Sequence, residues 1–563
     1  MIYTLIKVDI MHIQRVKSKR GKKTYEQILL RESYREPGAK RSAVKKRTLI
    51  NLTKYPPQVV EALELALKHQ ADLSVLTAMS DIVLEQGPAV GAIFTLLQMA
   101  KRLGIEKALG THQNGKLALW QVIARAHSQG SRLSAVRLAK TTSAADVIGL
   151  QQGFCEDHLY ENLTWLAENQ EAIEKRLFAS RWANSEPQLF LYDVTSSYLE
   201  GDQNQLADWG YNRDKKRGKK QIVIGLLCDE KGDPVAAEVF AGNTTDPQTF
   251  GAQVKKAAER FGCRRVTFVG DRGMIKSAQI DDLASAGFHY ITAITKPQIR
   301  SLIKKGVFQL ELFEQHLCEI QDGDVRYVLR RNPFRAEEMA TTRSSKLAAL
   351  QRLADTQNRY LAEHPRADDF TAWKKVKEKE SRLGLGSIVT VTAEDRHIHV
   401  EVDTEYMAEL AELDGCYVIK TDLPAQVADK ELIHDRYKDL AMVETAFRTC
   451  KTTQLEVRPV FVRTEANTRG HVLVVMLAYL LIRALKKAWK DIDLTVEEGI
   501  KELDRICAMQ MSVKGTGSCL RLPEPSPIAR ELLDALDLKL PAVLPKSGAK
   551  VDTKKKLPLN RKK

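Results

Sequence analysis

Two aspartates are associated with apolar, β-type segments in the middle of the chain. Asp193 lies in the run Leu-Tyr-Asp-Val-Thr-Ser-Ser-Tyr, and Asp271 directly follows Val266–Gly270. A carboxylate on the inward face of a strand is costly unless it is paired or binds a cation, and ligands gather where strands of open sheets end. A metal site would explain both acids. Alternatively, Asp193 caps a turn at the end of its strand and Asp271 caps a helix that starts near Lys276.

A third acid lies on a predicted helix, Lys430–Cys450. At about 100° per residue, positions seven, eleven and fourteen residues after a starting point return to within about 40° of it. One polar face of this single helix therefore carries Tyr437, Glu444, Arg448 and Lys451. The neighbouring stripe is apolar and suited to packing on a sheet: Leu440, Val443 and Phe447. An ordinary surface helix with a Glu444–Arg448 pair four residues apart would show the same pattern.

Taken together, these motifs resemble the insertion-sequence DDE transposases with a Tyr-Arg-Glu-Lys signature, relatives of the Tn-five and Tn-ten enzymes, and within them the subgroup with a long N-terminal region. In the signature, tyrosine and glutamate are seven residues apart, as are glutamate and lysine. Tyr437, Glu444 and Lys451 match this spacing, whereas Leu440 stands where the arginine is expected. Other segments between about residues 186 and 490 also look like the family: Tyr192–Thr195, Gly242–Asp246, Gly270–Met274 and Arg469–His471.

The resemblance implies a DNA transposase that binds the terminal inverted repeats of its element and catalyses metal-dependent cleavage and strand transfer. Asp193, Asp271 and Glu444 are then the catalytic acids and the metal ligands, with Asp193 bridging two Mg²⁺ ions, for which Mn²⁺ can substitute. Such ion pairs lie about 3.5–4 Å apart. Water attacks first at the element's end, and the freed 3′-hydroxyl then attacks the opposite strand or target DNA.

Auxiliary DNA contacts follow from the same resemblance. Lys451 and Tyr437 are expected to hold terminal phosphates or the 5′ end, and Arg448 to assist through a bidentate phosphate contact. The partners are double-stranded DNA, as element ends and as target, and further copies of the chain, because two ends are cut and joined together. A homodimer or a larger synaptic complex is therefore expected.

The elements around the acids predict a mixed α/β fold. Three consecutive strands with short connections, followed by alternating helices and strands, indicate a mixed sheet covered by helices, which is the order of a ribonuclease-H-like core. The predicted strands are Leu189–Val194, Ile222–Cys228, Ala236–Phe240, Arg265–Val269 and Tyr290–Ile294, with helices at Phe250–Phe261 and Ala278–Ala286. Charged, mixed material then interrupts the core pattern until a strand at Cys416–Lys420.

We divide the chain accordingly into a catalytic core with an inserted domain, a β-rich and then helical N-terminal region and a helical C-terminal region. Within the helical N-terminal region, Leu117–Lys140 fits either a helix-turn-helix or a plain helical hairpin. The predicted domains are a small basic β-rich module (1–55), a helical region for binding DNA ends (56–185), the first part of the core (186–296), the insertion (297–410), the second part of the core (411–490) and a helical region with a basic tail (491–563).

Composition and charge fit a DNA partner. The 563 residues carry a net charge of +15, with 44% hydrophobic residues, as in a globular protein. An excess of positive charge at the ends of the chain favours a polyanionic partner. The basic clusters are Arg15, Lys17, Lys19, Arg20, Lys22 and Lys23, then Lys40, Arg41, Lys45, Lys46 and Arg47, and at the C-terminus Lys554, Lys555, Lys556, Arg561, Lys562 and Lys563.

Compartment is predicted from cysteines and apolar runs. The eight cysteines include no Cys-x-x-Cys pair, so neither a zinc site nor a disulfide framework is indicated. The most apolar run, Val472–Ile482, is shorter than the roughly 20 residues of a membrane span and predicts a buried core helix. We therefore expect a cytoplasmic protein that associates with the nucleoid when bound to DNA and has no membrane contact.

Two other functions compete with this hypothesis. One is a domesticated, non-catalytic DNA-binding protein that keeps the transposase fold, against which the three intact acids argue. The other is a metal hydrolase of small phosphoesters, which would leave the basic ends and the insertion unexplained. A further metal site at His397 and His399 is conceivable, but two histidines on one face of a strand are more typical of a surface.

Overall fold

The computed structural model describes residues 10–20, 23–34, 45–68, 82–183, 185–201, 203–214, 216–314, 316–452, 455–458, 461–513, 517–544 and 549–554. The chain divides into two compact units. The first unit comprises Met1–Gly87 and Ala508–Pro523, and the second Pro88–Cys507 and Glu524–Lys563. Of the predicted basic residues, those outside the described ranges are Lys22, Lys40, Arg41, Lys555, Lys556, Arg561, Lys562 and Lys563.

Strands and helices are numbered in chain order. The strands are β1 (Ile10–Arg20), β2 (Lys23–Tyr34), β3 (Lys45–Asn51), β4 (Ile82–Ala89), β5 (Leu189–Tyr198), β6 (Gln221–Asp229), β7 (Pro234–Phe240), β8 (Thr267–Gly270), β9 (His289–Ala293), β10 (Cys318–Asp322), β11 (Val325–Arg331), β12 (Val389–Glu394), β13 (His397–Val402), β14 (Cys416–Thr421), β15 (Cys507–Val513) and β16 (Gly517–Arg521). The helices are α1 (Pro57–Lys68), α2 (Gly91–Arg102), α3 (Ile105–Leu109), α4 (Gln113–His127), α5 (Arg132–Thr141), α6 (Ala144–Ile148), α7 (Glu156–Glu168), α8 (Gln170–Arg181), α9 (Asp246–Lys255), α10 (Ser277–Ser285), α11 (Lys296–Lys304), α12 (Pro333–Glu363), α13 (Asp369–Leu383), α14 (Thr404–Glu412), α15 (Lys430–Lys438), α16 (Leu440–Lys451), α17 (Glu465–Ala488), α18 (Val496–Asp504) and α19 (Pro527–Asp534).

The first unit is built from two small sheets and α1. Strands β1, β2 and β3 form an antiparallel sheet in that order, and β16, β15 and β4 form the other. Because side chains alternate along a strand, Arg15, Lys17 and Lys19 share one face of β1, where all three are exposed. The second sheet corrects our expectation of a helical C-terminal region. Alternation of apolar and polar residues in Cys507–Val513 suits a strand.

An eight-stranded mixed sheet forms the centre of the second unit. Its strand order is β10-β11-β14-β9-β8-β5-β6-β7, in which β5 and β8 are parallel, β8 and β9 are parallel, and the other pairs are antiparallel. The fold is thus mixed α/β, as predicted. Strands β10 and β11 belong to this sheet although the sequence suggested that the core pattern lapses there; β14 pairs with β11 along its whole length.

Helices cover both faces of the sheet. Leu189 and Leu191 of β5 belong to a core cluster shared with α4, α7, α16 and α17. Phe190 and Tyr192, which point to the opposite face, pack with Phe250 of α9 and the neighbouring elements. Strand β5 is therefore buried on both sides, as expected of an interior strand of a layered α/β sheet.

Helix α17 is the central helix of this core. By length and composition it is the one helix in the described part of the chain that could cross a membrane, but 83% of its most apolar window is buried inside the protein. It also approaches α7 closely: a Cβ on Gly470 would lie 2.1 Å from the carbonyl oxygen of Leu163. The predicted buried core helix is confirmed, over a longer span of 24 residues.

The long excursion between β11 and β14 has its own small core. Helices α12 and α13 pack on the hairpin of β12 and β13 through buried residues such as Leu350 and Val376. His397 and His399 are exposed on β13. Within the described residues, no group of three His, Cys, Asp or Glu side chains is placed to hold a metal ion, and this pair therefore has no third ligand.

Candidate functional site

Asp193 and Asp271 are brought together by strand pairing. In the parallel pair β5 and β8, Tyr192 is in register with Gly270. Asp193 directly follows Tyr192, and Asp271 directly follows Gly270. Adjacent strands lie roughly 4.8 Å apart, so the two aspartates are neighbours across the strand pair. Asp193 is inside β5 and not at its end, so its capping interpretation is wrong. Asp271 is also no helix cap, because α10 begins only at Ser277 with Lys276 as its N-cap.

Glu444 reaches the same place from α16. This helix packs on β5 through buried Val443 and Phe447, while Glu444 and Arg448 are exposed. Asp193 has the same parity along β5 as Leu191, and so it lies on the face of the sheet that α16 covers.

The helix that carries the third motif is interrupted, which corrects our prediction of one continuous helix. Helix α15 ends at Lys438 and α16 begins at Leu440, so that Asp439 separates Tyr437 from Glu444. The backbone turns tightly here, with the Met442 N–H donating to the Asp439 carbonyl at 2.9 Å. Tyr437 still approaches the acids, since its hydroxyl donates to Oδ1 of Asp271 at 3.2 Å.

The three predicted acids line one cavity of about 320 Å³. Basic side chains stand among them and balance four carboxylates. The charged lining residues are Asp193, Asp246, Asp271, Glu444, Arg213, Arg272, Arg448 and Lys451. The structure thus gathers five of the six predicted site residues in this cavity, and Tyr437 touches it through Asp271.

Pairing inside the cavity is uneven. Arg213 binds both carboxylate oxygens of Asp246 at 2.6 Å, and Lys451 donates to Oδ1 of Asp214 at 2.8 Å. The side chain of Glu444, by contrast, forms no hydrogen bond or ion pair within the described part of the chain. Among the described residues, the carboxylate of Asp193 accepts only the N–H of the next residue, Val194, at 2.7 Å.

The surroundings of Asp193 disfavour the ionised form of its carboxyl group. Burial raises its pKa to about 7, and the negative charges of Asp271 and Glu444 act in the same direction. The N–H of Val194 and the nearby Arg213 oppose this rise. A cation in the cavity would relieve the repulsion among the three carboxylates.

The donor set fits hard divalent cations. All three acids offer carboxylate oxygens, which Mg²⁺ and Mn²⁺ prefer. In the described structure the three acids do not converge closely enough to hold one ion together. Mg²⁺, however, is commonly held by only one or two carboxylates, with waters and substrate phosphates completing its coordination shell. The residues present therefore fit such ions.

Arg213 is a site residue that the sequence analysis missed. It lies in the loop between β5 and β6, where the N–H of Arg213 donates to Oγ of Ser196 at 2.9 Å and fixes the loop against β5. The only sequence signal is the concentration of lysine and arginine in residues 213–220, which does not single out one position.

Comparison with known families agrees with this geometry. The family model described as Transposase DDE domain matches residues 184–481, more than half of the chain. The chain belongs to the DDE transposase family. A second family model, described as IS1634 family transposase, N-terminal domain, matches residues 13–75, so the chain is an insertion-sequence DDE transposase.

No curated protein matches this transposase. Among solved structures, it is similar to the piggyBac transposase in a cryo-EM structure of a synaptic complex with hairpin DNA, with 9% sequence identity and a TM-score of 0.34. That similarity covers 75% of this chain and 82% of the other. The matched DDE region of the transposase includes every residue of the acidic cavity.

Proposed function

We propose that this transposase binds the terminal inverted repeats of an insertion sequence and catalyses metal-dependent DNA cleavage and strand transfer at Asp193, Asp271 and Glu444. One observation carries the proposal: three acids that are 78 and 173 residues apart in the chain (271 − 193; 444 − 271) line the same cavity. Two of them come directly after Tyr192 and Gly270, a residue pair in register on two parallel strands. The third comes from a helix packed on the same sheet.

Asp193, Asp271 and Glu444 would hold two Mg²⁺ ions, with Mn²⁺ as a substitute. When bound, such ions activate the attacking oxygen and stabilise charge on the phosphate and the leaving oxygen. Asp193, on interior strand β5, would be one of the carboxylates that hold them. Tyr437 would orient Asp271 through its hydroxyl.

Basic groups of the cavity would bind the DNA phosphates. Arg448 is exposed on α16, has no ion pair or side-chain hydrogen bond within the described residues, and is free to make a bidentate phosphate contact. Lys451 and Arg272 add positive charge on the same wall. These basic residues would hold the scissile strand, while the three acids would hold the metal ions at its phosphate.

DNA ends would be recognised outside this cavity. The exposed basic face of β1 lies within the matched N-terminal domain family, and neutralising phosphates there would supply affinity without sequence choice. We further propose that the mixed sheet is a ribonuclease-H-like core, that the chain belongs to the Tyr-Arg-Glu-Lys group with a long N-terminal region, and that a homodimer or larger synaptic complex acts on nucleoid DNA in the cytoplasm. The predicted domain divisions belong to the same proposal, except that the insertion lies between β11 and β14 and the C-terminal region includes β15 and β16.

A cleavage assay tests the function. The full chain is incubated with a duplex oligonucleotide that contains the element's end, with Mg²⁺ or with EDTA. We expect strand cleavage only with the metal ion. Asp193→Asn should abolish cleavage and leave duplex binding intact, because it removes a carboxylate from the cavity and not a phosphate contact.

Asp281→Asn is the matched control, since Asp281 is an exposed acid on α10 without a side-chain partner in the described structure. Cleavage by Asp193→Asn at the wild-type rate would contradict the assignment of the acids. Duplex binding by a wild-type chain that never cuts would instead favour a domesticated DNA-binding protein.

A further inference from the structure

A second cavity, of about 280 Å³, lies elsewhere in the same unit and shares no residue with the acidic cavity. Helices α4, α5, α7 and α17 contribute to its wall. Phe461 at its wall is 64% exposed, so the cavity reaches the surface. Its ionisable lining residues are Arg125, Arg132, Tyr160, Glu456, Arg458 and His471.

Two guanidinium groups are buried in this cavity without a counterion. Arg125 is 5% exposed and donates to the carbonyl oxygens of Leu455 at 3.1 Å and Gly130 at 2.7 Å. Arg132 is 6% exposed and donates to Oε1 of Gln121 at 2.6 Å. Neither forms an ion pair within the described residues. A buried, unpaired charge is costly, and this cost indicates that a negative group is missing.

The acid in this cavity supplies only part of that negative charge, since Glu456 raises the pKa of Arg125 against the effect of burial but forms its ion pair elsewhere. Glu456 is held by Arg458, whose Nε lies 2.9 Å from its Oε1. Burial lowers the pKa of Arg125 to about 10 and that of Arg132 to about 9, and the charge of Arg125 lowers the latter further. Both groups nevertheless stay protonated at neutral pH, so the cavity keeps a net positive charge.

His471 adds a free polar atom to the same wall. It is 4% exposed, and its Nε2 lies 3.2 Å from the carbonyl oxygen of Val457. Since that carbonyl can only accept, Nε2 carries the proton. Nδ1 has no hydrogen-bond partner in the described part of the chain. Burial, with the charges of Arg125 and Arg132, holds the pKa of His471 well below its usual value, so the ring is neutral and Nδ1 is available as an acceptor for the P–OH group of hydrogen phosphate.

We propose that this cavity is a second phosphate-binding site, which takes a phosphate oxyanion between Arg125 and Arg132 beside His471. The oxyanion is supplied by a DNA backbone phosphate or by free inorganic phosphate. The DNA source rests on the proposed function, whereas binding of free phosphate does not. Guanidinium groups match phosphate oxygens in planar, bidentate geometry.

Thermal denaturation of the full chain tests the site with inorganic phosphate as the probe and chloride at equal ionic strength as the reference. We expect phosphate near a hundred times its Kd to raise the Tm of the wild-type chain by about 2 °C. Arg132→Met should lose this rise. Arg137→Met is the matched control, because Arg137 is exposed on the same helix, and it should keep the rise.

A second variant tests the site independently, in case Arg132→Met does not fold. Gln129 is exposed and lines the cavity, so Gln129→Glu adds a negative charge without removing a buried group. It should weaken phosphate binding about tenfold, while its Tm in chloride does not fall below that of the wild type, because the new carboxylate lies near two unpaired guanidinium groups.

Salt dependence of duplex binding distinguishes the two sources. Neutralising one backbone phosphate contributes about 0.9 to the slope of log K against log salt concentration. A slope reduced by about this amount in Arg132→Met and Gln129→Glu assigns the site to DNA, and an unchanged slope with a lost phosphate effect assigns it to free phosphate. Equal behaviour of these variants, Arg137→Met and wild type in both assays would overturn the proposal, whether or not the protein cleaves DNA.

Discussion

The hydroxyl of Tyr437, near the end of α15, donates a hydrogen bond to Oδ1 of Asp271 at 3.2 Å. This contact ties α15 to the carboxyl end of β8, where Asp271 follows the sheet. Burial, reinforced by the charge of Asp271, raises the pKa of Tyr437 above its usual value. The phenol therefore stays protonated and remains a donor at every pH at which the enzyme would work.

Removal of this hydroxyl should slow cleavage. A hydrogen bond to a charged group contributes about 1.5–3 kcal/mol, and partial loss of it in Tyr437→Phe should reduce the Mg²⁺-dependent cleavage rate roughly tenfold. The Tm should change little, because the ring remains. Single-turnover cleavage at saturating Mg²⁺ measures the effect. The control is Tyr360→Phe, because the side chain of Tyr360 is exposed on α12. Equal rates for Tyr437→Phe and wild type would show that the contact does not orient Asp271.

We predict that Asp214 competes with DNA for Lys451. The lysine donates to Oδ1 of Asp214 at 2.8 Å, and both side chains are 23% exposed. We expect Lys451→Gln to weaken duplex binding and to lower the salt slope by about 0.9. Asp214→Asn should have the opposite effect and tighten duplex binding, because it releases Lys451 and removes a negative charge near the DNA phosphates. Titrations at several salt concentrations measure both, and weaker binding by both variants would contradict competition.

Local patterns were enough to predict three acids that the structure gathers in one cavity, together with most strands of the large sheet. Strand β5 contains a single acid, β8 is an apolar run followed directly by one, and Glu444 stands at a fixed distance from Lys451. Such features need no knowledge of distant contacts. The same holds for α17, whose apolar run predicts burial.

Features that depend on distant contacts escaped prediction. The break at Asp439 leaves the apolar periodicity intact, so no residue pattern announces it. Strand β10 lies at the sheet edge and is polar, with Glu319 and Gln321 among its five residues, and it becomes a strand only by pairing with β11. Arg213 enters the site because its loop folds back on Ser196, which spacing along the chain cannot reveal.

The acidic cavity should make the metal-free protein sensitive to pH. Because the native pKa of Asp193 is raised to about 7 and that of an unfolded aspartate is about 3.9, the native state binds this proton more tightly. Stability from this group therefore rises as pH falls from about 7 towards 4, and above pH 7 the ionised carboxylate destabilises the fold by up to about 4 kcal/mol.

Asp193→Asn should remove that penalty. In EDTA, we expect its Tm to exceed that of wild type at pH 8 and the difference to shrink towards pH 5, whereas Asp281→Asn follows wild type throughout. Adding Mg²⁺ at pH 8 should raise the Tm of wild type more than that of Asp193→Asn. Parallel Tm curves for Asp193→Asn and wild type in EDTA would show that the native pKa of Asp193 is not raised.

Leu440 occupies the place of the signature arginine because that position faces the core. It is 8% exposed and lies in the same apolar cluster as Val443 and Phe447. Leu440→Arg would bury a guanidinium among apolar side chains and should destabilise the protein by about 3 kcal/mol or more, whereas Leu440→Met, which conserves volume, should cost less than about 1.5 kcal/mol. Thermal denaturation compares the two. An arginine variant with wild-type Tm would mean that α16 can turn this position out of the core, and that a cation is able to join the cavity there.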